Sequence, residues 1–382
     1  MFYVFDHCMA STPPIIKRSN NDRPNPRPAP VHAPLTLDLL LHVLSRTLFH
    51  PFLAALLPLC LRALAAPYNS TSFVLTSTFA ICVCLSRVLQ NVNTRIAYGS
   101  PREIDWEDEV VVITGGIGGL GGCLAEIFAL RGVGVVVLDI EVPPKGATAA
   151  GLVAGLADGE EKEGVRYYHC DVGNHEQVER VWRKVVEDVG TPTVLINNAA
   201  VVNGRSVLEQ SSEEVERTFR INTFSHYQLN KLFLGPMLGQ TAIRGTIVTV
   251  ASVLAHLGAA HLSVYSASKA ALLAYHASLT AELASKAPQV KMILVAPGQL
   301  DTQMFSNVRL RGWWRNFLGP VIGAGQVAVK IVELIDTGNG GVVSEPAYAR
   351  WIAWLSVLPV GLQRIAKSWA GMDDAYARGC SE

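Results

Sequence analysis

The chain of 382 residues has little charge: 17% of its residues are Asp, Glu, Lys or Arg, and 32 basic residues stand against 32 acidic ones. With no net charge and no basic stripe, it offers no electrostatic footprint for nucleic acid and no polybasic clamp for lipid headgroups. Nucleic-acid binding is thereby excluded as a function class. Metal-ligand spacing is also missing. The seven cysteines, Cys8, Cys60, Cys82, Cys84, Cys123, Cys170 and Cys380, include no CxxC pair, and the ten histidines, His256 and His261 among them, are scattered. The thiols read as small apolar residues kept reduced, so neither a disulfide framework nor a metal site is expected. No internal repeat is visible. What is plentiful is apolar surface, at 49% of all residues, which excludes a chain disordered throughout.

That apolar content is unevenly distributed. Positions 1–34 hold Pro13, Pro14, Pro24, Pro26, Pro28, Pro30 and Pro34 among polar and basic residues, the wrong shape for a signal peptide, and read as a disordered leader. Positions 35–100 read as a membrane-anchoring segment. Between 51 and 86 the only charge is Arg62, and two apolar runs, 47–61 and 72–85, are each shorter than the roughly 20 residues of a bilayer crossing. Arg46 before the pair and Arg87 and Arg95 after it predict a hairpin with cytosolic ends and its tip in or across the membrane. Two core helices of a soluble domain are the alternative. The sequon Asn69-Ser70-Thr71 in the connection would report a lumenal tip.

From 101 to about 345 the pattern alternates strand and helix. Apolar runs at 110–114, 133–139, 165–170, 194–197, 246–250 and 291–296 predict six buried strands, with helices at 120–131, 175–188, 212–234 and 263–285. The fold class is α/β, a doubly wound parallel (Rossmann) sheet. The remaining 346–382 form an amphipathic tail, with Trp351, Trp354, Leu355, Leu358, Leu362 and Trp369 beside Arg350, Arg364 and Lys367. An interfacial membrane patch, a homodimer contact and a capping helix explain that composition equally well.

Thr114-Gly115-Gly116-Ile117-Gly118-Gly119-Leu120-Gly121 follows the first strand and opens a helix, which brings backbone amides and a helix N-terminus against a pyrophosphate. Asp139 ends the second strand, 18 residues beyond Gly121, where a carboxylate accepts hydrogen bonds from ribose hydroxyls and repels a 2′-phosphate. This favours NAD and leaves NADP open; Lys145 is near but lies beyond Pro143 and Pro144. Tyr265 and Lys269 stand one helical turn apart on one face, where an ammonium stabilises a phenolate whose free pKa is about 10. Ser252, 13 residues before Tyr265 and just after a buried strand, places a hydroxyl for a reacting oxygen.

In this order, from Thr114 to Thr302, the residues resemble the short-chain dehydrogenase/reductase family. Its TGxxxGxG loop is matched by Thr114, Gly115, Gly119, Leu120 and Gly121, its acidic ribose ligand by Asp139, and its Asp-Val beside the adenine by Asp171 and Val172. Its NNAG stretch is matched by Asn197, Asn198, Ala199 and Ala200, with Ala200 in place of glycine. Its PGxxxT segment is matched by Pro297, Gly298, Leu300 and Thr302. The resemblance implies that Asn222, Ser252, Tyr265 and Lys269 are catalytic. Tyr265 would exchange a proton with the substrate oxygen as a hydride passes between the carbinol carbon and the nicotinamide. Lys269 would lower the Tyr265 pKa and hold the nicotinamide ribose, Ser252 would orient the carbonyl, and Asn222 would fix a water leading from Lys269 to solvent.

An apolar segment before the glycine loop is similar to the membrane-bound retinol and hydroxysteroid dehydrogenases of that family. It implies a lipophilic substrate (retinoid, steroid or long-chain lipid) and a place on endoplasmic reticulum or lipid droplet, with the catalytic domain in the cytosol. In the family the region after Thr302 covers the substrate. Here it mixes Met304, Phe305, Leu310, Trp313, Trp314, Phe317 and Leu318 with Arg309, Arg311 and Arg315, a composition for a lid at the membrane interface or one packed on its own core. Two rival readings stand beside this one: an NADPH-dependent lipid-ketone reductase, against which Asp139 argues, and a catalytically silent membrane or lipid-droplet protein, against which the intact Asn, Ser, Tyr and Lys set argues.

Overall fold

The computed structural model describes residues 35–143, 156–236, 244–305 and 313–371. The leader expected at 1–34 lies outside them, as do Cys8, Lys145, Arg309, Leu310, Arg311, Cys380 and the side chains of Phe305, Trp313 and Arg315. The five cysteines among the described residues are free thiols.

The core is one sheet in the order β3-β4-β2-β1-β5-β6-β7-β8, all parallel except the edge strand β3. β1 (Val110–Thr114), β2 (Gly134–Asp139), β4 (Val165–His169), β5 (Val194–Asn197), β6 (Gly245–Val250) and β7 (Val290–Val295) fall on the six apolar runs. Such runs make central strands because both faces are covered. Val111 and Ile113 of β1 pack with Leu124 and Phe128 of α4 (Gly119–Leu130) and Ile331 of α10 (Ala324–Asp336). Val112, between them, faces the opposite layer, with Trp182 of α5 (His175–Val189), Phe233 of α7 (Ser225–Leu234) and Leu283 of α8 (Ser263–Lys286).

The sheet has eight strands where the sequence pattern predicts six. β3 (Glu161–Lys162) is two exposed polar residues paired antiparallel to β4, and β8 (Gly341–Val343) is three residues on the edge of β7. Neither is long enough to leave a periodic signal. The helix expected at 212–234 is three pieces: α6 (Ser212–Phe219), a turn of π-helix (Arg220–Phe224) and α7. Between β7 and β8 the chain also forms α9 (Trp313–Leu318) as well as α10. The strand order reverses between β1 and β5, so the crevice for a ligand opens at the carboxyl ends of these two strands.

Among the described residues three helices precede the sheet: α1 (Leu37–Arg46), α2 (Pro51–Ala63) and α3 (Thr71–Tyr98). The two apolar runs do form two packed helices, meeting at Ala54, Ala80 and Val83. The second is much longer than its apolar run: 28 residues, or about 42 Å at about 1.5 Å per residue. α3 is long and apolar enough to cross a membrane, with 11% of its most apolar stretch buried, which is compatible with an anchor; α1 and α2 together form a second apolar stretch, bent by 56°. Arg62 is accommodated at the connection, donating to the Ala66 carbonyl at 2.5 Å and lying 3.8 Å above the Tyr68 ring.

α3 is locked to the sheet where it ends. Lys291 of β7 donates to the carbonyls of Tyr98 (3.1 Å) and Pro288 (2.6 Å), a cation at a helix C-terminus. Arg102 then forms a buried two-pronged pair with Glu109 at 3.0 and 2.9 Å, and its amide donates to the Gly338 carbonyl at 2.8 Å.

Candidate active site

The glycine loop joins β1 to α4. Gly115 (φ +66) and Gly119 (φ +56) adopt left-handed backbone that side chains disfavour, and a Cβ on Gly121 would lie 2.1 Å from the Gly115 carbonyl oxygen. Gly118, the N-cap of α4, contributes no side-chain cap and has open space on its outer side, so the first amides of the helix face an uncrowded surface. Such a cradle could hold a pyrophosphate. The loop is held from beneath by β5. The Thr114 hydroxyl accepts from the amides of Asn198 and Ala199, both at 3.0 Å, and Asn198 Nδ2 donates to the carbonyls of Thr114 and Gly115, both at 3.0 Å.

Asp139 stands half-buried at the end of β2. One carboxylate oxygen accepts from the Ile117 amide and the other from the Glu141 amide, each at 3.0 Å. These bonds aim the group across the loop and leave lone pairs on both oxygens for ribose hydroxyls. Further along, Asp171 accepts from the Gly173 amide at 2.9 Å, while Val172 is buried in the α5 layer. On the other side of the crevice, Thr302 reaches the glycine loop, its Cγ2 3.3 Å from an ideal Cβ on Gly119. Leu300 bridges to Ile322, and Gly298, after Pro297, lies under the Tyr348 ring.

Of the four expected catalytic residues, Tyr265 and Lys269 lie on α8, Asn222 bonds to Ser268 of the same helix, and Ser252 lies just past the strand that leads to the loop before it. Lys269 is 1% exposed, and its Nζ donates to the Val250 carbonyl at 2.8 Å, lying 5.9 Å from the centre of the Tyr265 ring. Burial lowers its pKa to about 7. Tyr265, 4% exposed, packs with Ala259 and Leu262, and half-buried Leu254 joins that cluster. Ser252 follows β6, its hydroxyl accepting from the Leu254 amide at 3.2 Å. Asn222 lies in the π-helical turn. Its side chain accepts from the Val201 amide (2.8 Å) and donates to the Val201 carbonyl (2.9 Å) and the Ser268 hydroxyl (3.1 Å). An inserted π-helical residue re-aims its side chain, and here it ties the loop after β5 to the residue beside Lys269.

Sequence reasoning passed over Asn230, Tyr275 and Thr223, which hold this arrangement. Asn197 of the NNAG match donates to Asn230 at 2.8 Å, which donates to the Tyr275 hydroxyl at 3.0 Å; Thr223 donates to the Ser268 carbonyl at 3.0 Å. Two histidines, His226 on α7 and His276 on α8, are buried near Lys269, and burial drives both pKa values down, that of His276 to about 4. A histidine kept neutral by folding but free to protonate when unfolded makes the unfolded chain bind more protons between pH 6.5 and 4. Stability therefore falls as pH falls through that window. The contribution of His276 is expected to be about 3 kcal/mol, present above pH 6.5 and lost by about pH 4. Thermal unfolding of wild type and His276→Gln across pH 4–7 checks it, the variant showing the shallower slope. Equal slopes would remove His276 as a source of acid sensitivity.

Among the described residues no group of three or more His, Cys, Asp or Glu could hold a metal ion. The family profile described as short chain dehydrogenase matches residues 109–312. The chain is 37% identical over 239 residues to retinol dehydrogenase 10-A of Danio rerio, covering 58% of this chain and 70% of that one. It is 29% identical over 314 residues to an uncharacterized oxidoreductase, TDA5, of Saccharomyces cerevisiae, covering 78% and 90%. Among solved structures, a short chain dehydrogenase from Burkholderia cenocepacia in complex with NADP aligns with a TM-score of 0.54 at 25% identity, over 70% of this chain and 99% of that one. The cradle, the carboxylate at the end of β2 and these matches agree: the chain belongs to the short chain dehydrogenase family and is an oxidoreductase that acts on CH–OH groups with a nicotinamide cofactor.

Proposed function

We propose that this oxidoreductase interconverts an alcohol and its carbonyl on a lipophilic substrate, a retinoid, steroid or long-chain lipid, from the surface of endoplasmic reticulum or a lipid droplet. In this reading 35–100 anchor the protein, 101–345 catalyse in the cytosol and 346–382 are an amphipathic tail. The observation that carries it is the buried Lys269 beside Tyr265, in a chain that also has a helix fit to cross a bilayer. The name of the Danio rerio relative supports a lipid-like alcohol.

The cofactor, when bound, supplies or accepts the hydride. Thr114, Gly115, Gly119, Leu120 and Gly121 would hold its pyrophosphate and Asp139 its adenosine ribose, with Asp171 and Val172 toward the adenine. Asn198, Ala199, Pro297, Gly298, Leu300, Thr302 and Lys269 would hold its nicotinamide half. Tyr265 passes the proton between its phenolic oxygen and the substrate oxygen. Ser252 donates a hydrogen bond to that oxygen, fixing its angle to Tyr265. Lys269 stabilises the phenolate, and Asn222 keeps the route from Lys269 to solvent in place.

Asp139 makes NAD the preferred cofactor, with NADP usable. Asp139→Ala removes the repulsion toward a 2′-phosphate together with the ribose acceptor, and the ratio of kcat/KM for NAD to that for NADP is expected to fall ~10–100-fold, since a charged hydrogen bond contributes about 1.5–3 kcal/mol. An unchanged ratio would take the ribose role away from Asp139. The reading as a whole is tested by nicotinamide absorbance with detergent-solubilised protein offered retinol, steroid and long-chain alcohols, their carbonyl partners and either nucleotide. Turnover confined to water-soluble alcohols would overturn the lipophilic substrate.

A further inference from the structure

Past β8 the chain folds back over the site. A short 3-10 turn (Ala347–Arg350), α11 (Ile352–Leu355) and α12 (Val360–Ala370) follow one another, and their two sides differ. The inner side is built into the catalytic loop. Ala349 and Ile352 pack with Val253 and Leu257, which lie in the loop between Ser252 and Tyr265. Lys367 of α12 donates to the Gly258 carbonyl of the same loop at 2.7 Å. Tyr348 sits so close to Gly298 that a Cβ there would lie 2.3 Å from its hydroxyl. Positions some 50 to 110 residues apart in the chain thus form one wall, from Gly298 to the loop that carries Ser252.

The outer side is apolar and open. Trp351, Trp354, Val360 and Ile365 are 66%, 69%, 66% and 67% exposed, and no residue of α12 is buried. Isolated exposed apolar residues are ordinary, but a run of them with tryptophans marks a surface that something covers. Two observations identify the occupant. The tail adjoins the anchor: at its buried start the Ala347 amide donates to Asp38 of α1 at 2.5 Å, and α1 also touches α9, just ahead of α2 and α3. Arg364 is exposed beside the apolar residues of the outer side, while Lys367 turns inward to Gly258 and Arg350 pairs with Glu345 at 2.6 Å. Tryptophan with Lys and Arg on an amphipathic helix is the composition of a bilayer interface.

We infer that α11 and α12 lie on the bilayer that holds α3, with their inner side closing the substrate site, so that a lipophilic alcohol passes from the membrane to Tyr265 without crossing bulk water. The inference rests on the lipophilic substrate proposed above, and its membrane contact can be tested separately.

The test uses full-length protein in phosphatidylcholine vesicles, comparing wild type with the triple variant Trp351→Ser, Trp354→Ser, Ile365→Ser. These positions are exposed, so the fold is expected to persist, as checked by circular dichroism. Brominated phosphatidylcholine is expected to quench tryptophan fluorescence in wild type, and the quenched component to fall sharply in the variant. KM for a long-chain alcohol supplied in the vesicles should rise ~10-fold, with kcat/KM for a short water-soluble alcohol unchanged. Undiminished quenching in the variant overturns the inference, as does a wild-type dimer that the variant converts to monomer in sedimentation, which would give the surface to a second copy. Loss of quenching with no turnover of any lipophilic alcohol would keep the membrane contact and overturn the substrate reading instead.

Discussion

Tyr265→Phe is expected to cost ~10²–10⁴-fold in kcat, the range contributed by a positioned acid–base group, with nucleotide affinity nearly unchanged. The ring is 4% exposed and packed with Ala259 and Leu262, contacts that phenylalanine keeps. What disappears is the phenolic hydroxyl, on a ring whose centre lies 5.9 Å from Lys269 Nζ. Lys269→Met goes further, because it removes the bond to the Val250 carbonyl together with the charge. Since burial brings Lys269 to about 7, its charge changes within the working range. The kcat/KM profile should therefore carry a break near pH 7 in wild type that Lys269→Met lacks. Stopped assays with near-saturating nucleotide and a nucleotide titration by fluorescence separate the effects. A Tyr265→Phe protein with wild-type kcat would take the proton-transfer role away from this residue and leave the silent-protein reading stronger.

What could be read in the sequence was local. The glycine loop, Asp139 and the Tyr265–Lys269 spacing each depend on a few neighbouring residues, and six strands could be placed because two-sided burial demands unbroken apolar runs. The parts out of reach depend on distant contacts or on very short elements. β8 is three residues whose pairing is decided by β7, and β3 has no apolar residue at all. The π-helical turn leaves the periodicity of 212–234 nearly intact, so the displacement of Asn222 could not be foreseen; its assignment came from resemblance. α3 outran its apolar run because Arg87 and Arg95 read as the flank of a membrane segment, whereas the helix continues until Gly99 and Lys291 close it. The tail had three equal explanations in sequence. Its packing on Val253, Leu257 and Gly258 is set by residues about 100 positions away, which no local pattern encodes.

Gly121→Ala is expected to cripple nucleotide binding by changing the shape of the loop that holds it. The added methyl would lie 2.1 Å from the Gly115 oxygen and 2.6 Å from Asn198 Nδ2, far inside contact distance, and the first of these is backbone. Something must move, and the choices are α4 or the loop that Asn198 and Thr114 hold against β5. Either shift spoils the convergence of amides at the cradle. Overpacking of this kind costs about 3 kcal/mol, and where the free loop relieves it by shifting while binding demands the original geometry, the nucleotide Kd rises ~100-fold. Gly118→Ala is the control: its backbone is extended and nothing lies within 4 Å of the added carbon, so thermal stability should stay near wild type. Any loss of affinity in that variant would then measure crowding of the cradle itself. Thermal unfolding with and without nucleotide reads both quantities. If Gly121→Ala unfolds early yet binds nucleotide with wild-type affinity, the loop is a packing element and the pyrophosphate must be sought elsewhere along the crevice between β1 and β5.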